Sequence, residues 1–169
     1  MQIKREIEIT PDSVILDGRP IAVSETGEKM LVELYRRYVG DYPKFFKMDT
    51  LSRLGFVAAE MLLKDEQVEA VILANRSASI KNDTDYLATI TEDNYYPSPA
   101  LFVYTLPNIV TGEIAIRHHI QGETSFYILD KPEELNPLLE TIYTSALAGW
   151  CECSGPNRFY AKLQIIWNN

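Results

Sequence analysis

The sequence is poor in cysteine, histidine and basic residues, and each shortage argues against a class of protein. Its 169 residues include two cysteines, two histidines and 16 Lys or Arg against 24 Asp or Glu, giving a formal net charge of -8. This acidic balance argues against nucleic-acid binding, which depends on clustered Lys and Arg. Cys151 and Cys153 lie too close together for an ordinary disulfide, so we expect a reducing, cytoplasmic location.

Long apolar runs are also missing. No segment approaches the roughly 18 apolar residues that cross a membrane, and the first residues lack the apolar stretch of a signal peptide. We therefore expect no contact with a membrane. Because 46% of the residues are hydrophobic, the chain can form one packed domain over residues 1–169, and it is too short for two ordinary ones.

Alternating strand and helix patterns predict an α/β fold. Strands are expected at residues 3–9, 14–16, 68–75, 125–129, 149–153 and 158–167, and helices at residues 26–39, 49–63, 83–92, 97–106, 109–120 and 137–147. The run over 68–75 is almost continuously apolar, which is typical of a buried parallel strand. The helix over 49–63, capped by Asp49 or Thr50, is apolar around most of its circumference, so we expect it to be covered on more than one side.

Several motifs between residues 42 and 129 follow the order of one enzyme family. They are residues 42–49 (Tyr-Pro-Lys-Phe-Phe-Lys-Met-Asp), 54–60 (Leu-Gly-Phe-Val-Ala-Ala-Glu), 75–77 (Asn-Arg-Ser), 97–102 (Pro-Ser-Pro-Ala-Leu-Phe), 105–108 (Thr-Leu-Pro-Asn), 112–116 (Gly-Glu-Ile-Ala-Ile) and Gly122. The chain resembles the N-terminal half of β-ketoacyl-ACP synthases over these residues, and more weakly to residue 169. The resemblance implies a single thiolase-like half, with a mostly parallel five-stranded sheet and helices on both faces.

The residues that perform ketosynthase chemistry have no counterpart. The family attacks an acyl thioester with a cysteine at a helix N-terminus, where the thiol pKa is lowered. By resemblance that nucleophile would fall near Asp130 and Lys131, and neither is a thiol. The two histidines of the family's second half are also missing. We therefore expect a non-catalytic ketosynthase-like subunit or accessory protein of fatty-acid or polyketide-type biosynthesis, without catalytic residues, cofactor or metal.

Two other functions stay open. One is an acyltransferase or hydrolase with a relocated active site, which would need a Ser or Cys beside His118 or His119. The other is a module that binds acyl groups or acyl carrier protein through a basic patch such as Lys44, Lys47 and Arg53. The two cysteines could form half of a metal site, although buried positions in a central strand are the simpler interpretation.

The strand over residues 125–129 is the expected partner interface. In the family, this strand lies at the sheet edge and pairs antiparallel with its copy across a dimer axis. Here it is apolar on both faces and has no edge-blocking Lys or Pro, which favours pairing. We expect a homodimer, or a heterodimer with a ketosynthase subunit, through Ser125, Phe126, Tyr127, Ile128 and Leu129.

The predicted helix at residues 135–147 bears on whether a second half packs here. On a helical wheel it is amphipathic, with glutamates on one side. Because a helix buried between two sheets should not present glutamates to the second one, we expect that this chain does not stack on a second half.

Overall fold

The sheet of this protein has seven strands. In the computed structural model, which describes residues 1–93, 97–139 and 143–168, the strands follow the spatial order β3-β2-β1-β7-β6-β4-β5. Their bounds are β1 (Gln2–Thr10), β2 (Ser13–Leu16), β3 (Arg19–Pro20), β4 (Ala70–Asn75), β5 (Thr124–Ile128), β6 (Ser145–Gly155) and β7 (Arg158–Trp167). The predicted α/β class is confirmed, and the seven-stranded sheet replaces the expected five-stranded one.

The sheet is mixed, so the prediction of a mostly parallel sheet is wrong. Only β4 is flanked by parallel partners, β5 and β6. All other pairs, including β1 with β7 and β6 with β7, are antiparallel. The physical reason is the length of the connection: β6 and β7 are joined across Pro156 and Asn157, and a link this short permits only an antiparallel pair.

The helices mostly follow the sequence prediction, with shifted ends. They are α1 (Gly27–Tyr38), α2 (Thr50–Leu63), α3 (Ile80–Leu87), α4 (Pro99–Val103), α5 (Ile109–His118) and α6 (Asn136–Leu139), with 3-10 segments at Pro43–Lys47 and Pro132–Leu135. α3 occupies 80–87 rather than 83–92, because Ser79 is its N-cap residue. None of the described helices is long and apolar enough to cross a membrane.

Helix α2 is the centre of the larger core. Every residue of α2 except Arg53 is buried, which confirms that this helix is covered on more than one side. The Asp49 side chain accepts a hydrogen bond from the Ser52 backbone N–H at 3.0 Å and so caps the helix as predicted. Gly55 permits this close packing, because a Cβ there would lie 2.5 Å from Val110 of α5.

The predicted helix over residues 137–147 is confirmed at its start and wrong from residue 143 onwards. α6 ends at Leu139, residues 140–142 lie outside the described part of the chain, and residues from Ser145 onwards belong to β6. Ala146 and Leu147 form parallel pairs with Ala70 and Val71 of β4, so tertiary pairing overrides their helical propensity. The amphipathic-helix argument against a stacked second half therefore no longer holds.

The two faces of the sheet are covered unequally. Helices α1, α2 and α5 pack on one face and form the larger hydrophobic cluster. On the other face, Leu135 and Leu139 are the described helical residues in a smaller cluster with β4, β6 and β7. Farther along that face the strands present only partly buried side chains, among them Glu6, Glu8 and Glu152. We call this the open face; the expectation of helices on both faces holds only for the part beneath residues 132–139.

Candidate functional site

Asp130 and Lys131, where the resemblance would place a nucleophile, lie in an exposed turn directly after β5. The Asp130 backbone N–H donates to the Glu134 carboxylate at 3.1 Å, and Lys131 precedes the short 3-10 segment. The helix that follows, α6, begins at Asn136, and its described residues end at Leu139.

The two cysteines are buried in β6, on the face that packs against α2. Both are free, and both are at most 1% exposed. Burial is the main cause that raises the thiol pKa of Cys151 well above its usual range and that of Cys153 to about 12. These thiols are therefore core groups with little thiolate, in agreement with the simpler interpretation. Among the described residues, no cluster of three or more His, Cys, Asp or Glu could hold a metal ion.

The two histidines lie at the end of α5, and His118 contacts α2. The His118 imidazole shares a 2.5 Å hydrogen bond with buried Glu60 of α2, and Arg117 contacts the same carboxylate at 3.4 Å. His119 is the C-cap residue and adopts a left-handed conformation. Within the described part of the chain, no hydroxyl or thiol hydrogen-bonds to either ring. The relocated active site therefore has no geometric support at this position.

The basic residues proposed for carrier-protein binding are largely occupied inside the protein. Lys44 forms an ion pair with Glu113, a buried residue of α5 that also accepts a 2.9 Å hydrogen bond from Tyr42. Arg53 donates to the Phe45 and Phe46 carbonyl oxygens at 3.2 and 2.9 Å. Lys47 forms no ion pair or hydrogen bond within the described part of the chain. Of the three predicted residues, only Lys44 is therefore neutralised by a carboxylate, and Arg53 is held in place by backbone oxygens while keeping its charge.

The predicted interface strand β5 lies at the edge of the sheet, as expected. It pairs with β4 on one side, and on its other side the described chain supplies no strand. Ser125, Phe126, Tyr127 and Leu129 are partly buried, whereas Ile128 is 52% exposed. Ile128 therefore leaves an apolar side chain of this strand open to solvent. An unblocked edge with an exposed apolar side chain is a suitable pairing surface.

A second exposed apolar region lies on the helices that follow β4. It consists of six large side chains on α3, α4 and the turns that follow them: Ile80, Leu87, Ile90, Phe102, Val103 and Leu106, each between 45% and 63% exposed. We call it the α3–α4 surface. The two helices contact each other through the rings of Tyr86 and Phe102, whose centroids lie 5.6 Å apart.

Contacts along the chain connect the α3–α4 surface to β5. The Ser79 hydroxyl donates to the Thr105 carbonyl at 2.5 Å, and Asn75, the last residue of β4, pairs with Ile128. The Asn75 side-chain amide donates to the Ala78 carbonyl oxygen and accepts a hydrogen bond from the Ala78 backbone N–H. The sequence did not predict this surface. Its only signal there is a set of apolar residues in short helical segments, and the sequence does not show that these residues lack buried partners.

Comparison with known proteins identifies the fold. No protein-family model matches the sequence, and no curated protein matches it. A chain of the solved structure of a ketosynthase (ApeO) in complex with its chain length factor (ApeC), from Xenorhabdus doucetiae, is similar with a TM-score of 0.67. The match covers 99% of this chain and 79% of that chain, at 13% sequence identity. The fold is therefore thiolase-like and related to that of ketosynthases.

Proposed function

We propose that this chain is a non-catalytic, ketosynthase-like partner subunit of fatty-acid or polyketide-type biosynthesis. It associates through β5 and the α3–α4 surface, either with a second copy of itself or with a ketosynthase subunit. The observation that carries the proposal is the position of Ile128, which is 52% exposed on β5, a strand whose outer edge has no partner among the described residues. Six further exposed apolar side chains on the α3–α4 surface add to the apolar area. Exposed apolar surface of this kind marks association sites in soluble proteins.

The candidate catalytic groups support a role without ketosynthase chemistry. Asp130 and Lys131 replace a thiol at the expected position, Cys151 and Cys153 are buried, and His118 is bound to Glu60. Attack on an acyl thioester needs an accessible nucleophile with a raised thiolate or alkoxide fraction. Cys151 and Cys153 are instead buried, and burial raises their thiol pKa and so lowers their thiolate fraction.

The structural neighbour supports a partner subunit of the ketosynthase type. That structure is of a ketosynthase in complex with its chain length factor. For this chain, we propose that the β5 edges of two subunits pair antiparallel across a two-fold axis, which satisfies their open backbone groups.

Light scattering of the purified protein at high micromolar concentration, alone and with a ketosynthase subunit, tests the association. We expect the mass of a dimer in at least one of the two samples. Ile128→Lys should shift that sample to monomers, because the charge would be buried at the strand edge. The matched control is Ile3→Lys, since Ile3 is similarly exposed at 49% and lies on β1, three strands away from β4. Monomers in both samples would contradict the proposal.

A ketosynthase assay with acyl- and malonyl-carrier protein tests the chemical part. We expect no condensation by the purified chain and no covalent acyl adduct by intact mass spectrometry. An adduct on any residue would show relocated chemistry and would replace the partner-subunit proposal with an acyltransferase or hydrolase.

A further inference from the structure

The α3–α4 surface lies in a long part of the chain that has no basic residue. Residues 82–116 contain no Lys, Arg or His. They include four acidic residues on α3 and in the turns after it: Asp83, Asp85, Glu92 and Asp93. Asp83 follows Ile80 by three residues and precedes Leu87 by four, so one side of α3 presents apolar, acidic and apolar side chains in turn. The exposed apolar side chains of this surface therefore have carboxylates among them.

The cations nearest to this surface in the sequence do not neutralise it. Lys81 forms ion pairs with Asp85 at 2.6 Å and with Glu28 of α1 at 3.9 Å. Arg76 precedes α3 and is exposed. Over residues 76–93 these two cations face four carboxylates, which leaves a formal charge of -2. Within the described part of the chain, three of these carboxylates form no ion pair: Asp83, Glu92 and Asp93.

Helices α3 and α4 are held together as one unit beneath the exposed side chains. The buried Asn82 amide donates to the Leu101 carbonyl oxygen at 2.8 Å, and the rings of Tyr86 and Phe102 are in contact. A partner therefore meets a surface that is already formed and does not have to order it. The Phe102 ring, which is 55% exposed, can also accept a cation on its face.

We propose that the α3–α4 surface binds a surface segment of a different protein in which apolar side chains alternate with Lys or Arg. The apolar side chains of that segment lie against Ile80, Leu87 and Phe102, and its cations lie beside the three unpaired carboxylates. An apolar centre with a polar rim is usual in protein interfaces. The inference rests on the proposed function, which treats this surface as an association site, and it names the chemistry of the partner.

A second copy of this chain does not suit the α3–α4 surface. A symmetric contact places the same patch on both subunits, so the carboxylates of one copy would face those of the other. Like charges brought together in this way oppose association, whereas a cationic partner is attracted. Between the two partners of the proposed function, the charge of this surface therefore favours a different subunit.

Fluorescence anisotropy with a labelled peptide of Leu and Lys tests the chemistry of the partner. The peptide has about 18 residues, long enough for a helix, with leucines three and four positions apart. We expect it to bind the full chain saturably at low salt. The same peptide with Glu in place of Lys, or with Ser in place of Leu, should bind at least tenfold more weakly. Raising NaCl from about 50 mM to about 300 mM should weaken binding of the Leu/Lys peptide at least threefold, because salt screens the charge pairs.

One variant tests the apolar part of the surface. Leu87→Gln changes the most exposed of the six apolar side chains and should weaken peptide binding at least fivefold. The matched control is Ile3→Gln, at an exposed residue of β1, and its affinity should stay within twofold of the unmodified chain. If Leu87→Gln fails to fold by circular dichroism, Ile90→Gln replaces it, with the same expected loss.

A double variant tests the charged part. Glu92→Gln combined with Asp93→Asn should weaken binding of the Leu/Lys peptide at least fivefold at low salt. The matched control is Asp65→Asn combined with Glu66→Gln, which removes the same charge between α2 and β4. Its affinity should stay within twofold of the unmodified chain.

The inference is overturned by the absence of saturable peptide binding at about 100 µM protein, by equal binding of the Ser/Lys peptide, or by equal losses in the surface and control variants. A dimer of this chain alone that Leu87→Gln dissociates would also overturn it and would leave the proposed function intact, because a second copy would then occupy the surface. Monomers in both light-scattering samples contradict the proposed function, whatever the peptide does.

Discussion

Glu60 shows how a buried charge can join two helices of this fold. It is 8% exposed on α2, and its carboxylate contacts both Arg117 and His118 at the end of α5. Arg117 also contacts Asp41 at 2.6 Å, which extends the network to the segment after α1. A buried carboxylate is tolerated only because cationic and hydrogen-bonding partners compensate its lost hydration.

Glu60→Gln should therefore lower the free energy of unfolding by about 1–3 kcal/mol, because it removes the charged partner of His118 and one of the carboxylates that contact Arg117. Urea unfolding followed by circular dichroism measures this change. The exposed residue Glu92 provides the control, and Glu92→Gln should change stability by less than about 0.5 kcal/mol. Equal losses in the two variants would show that Glu60 contributes through its net charge alone.

The cysteines allow a second test at the residue scale. Because burial raises the pKa of Cys151 and Cys153, iodoacetamide at pH 8 should leave the native protein unmodified. The unfolded protein in urea should take up two labels, and intact mass spectrometry counts them. Rapid labelling of native Cys153 would mean that this end of β6 opens frequently to solvent.

At the scale of the elements, the β6–β7 hairpin depends on one glycine. Gly149 has a φ of +152°, and a Cβ there would lie 2.1 Å from the Lys162 carbonyl oxygen of β7. No side chain fits between the two backbones at this point. The link between the two strands is only Pro156 and Asn157, so the hairpin decides the antiparallel course of β7.

Gly149→Ala should destabilise the protein by roughly 1–3 kcal/mol, because the added carbon forces the two strands apart. The contrasting control is Gly112→Ala in the interior of α5, where a new Cβ meets no atom within 4 Å. That change should stabilise the protein by about 0.5–1 kcal/mol, since alanine favours a helix. Thermal and urea unfolding measure both, and a shift of the same sign in the two variants would contradict the packing argument.

At the scale of the whole molecule, charge opposes the proposed homodimer. Each chain has a formal net charge of -8, so two copies repel each other at long range. The proposed contact is apolar at Ile128 and on the α3–α4 surface, so association must overcome this repulsion.

The dissociation constant of a homodimer should therefore fall severalfold when NaCl is raised from about 20 mM to about 300 mM, because salt screens the repulsion. Sedimentation velocity over a concentration series measures it. A constant that rises with salt would mean that ion pairs, rather than apolar and backbone contacts, hold the two copies together.

Local patterns in the sequence were sufficient to predict several of the helices and strands. The apolar circumference of α2, its Asp49 cap and the continuous apolar run of β4 each predicted the observed element, because burial and capping depend on nearby residues. The edge position of β5 came from the family resemblance and is also observed. Long-range pairing decided the rest: residues 145–147 have helical propensity, yet pairing with β4 makes them a strand.

The sequence by itself determined the net charge, the absence of a cysteine at residues 130 and 131, and the α/β class. Only the tertiary structure decided the mixed sheet, the burial of both cysteines, and the pairing of His118 with Glu60. It also brought α3 and α4 together in the α3–α4 surface. The physical reason is that composition and local periodicity are properties of neighbouring residues, whereas exposure and site geometry depend on segments far apart in the chain.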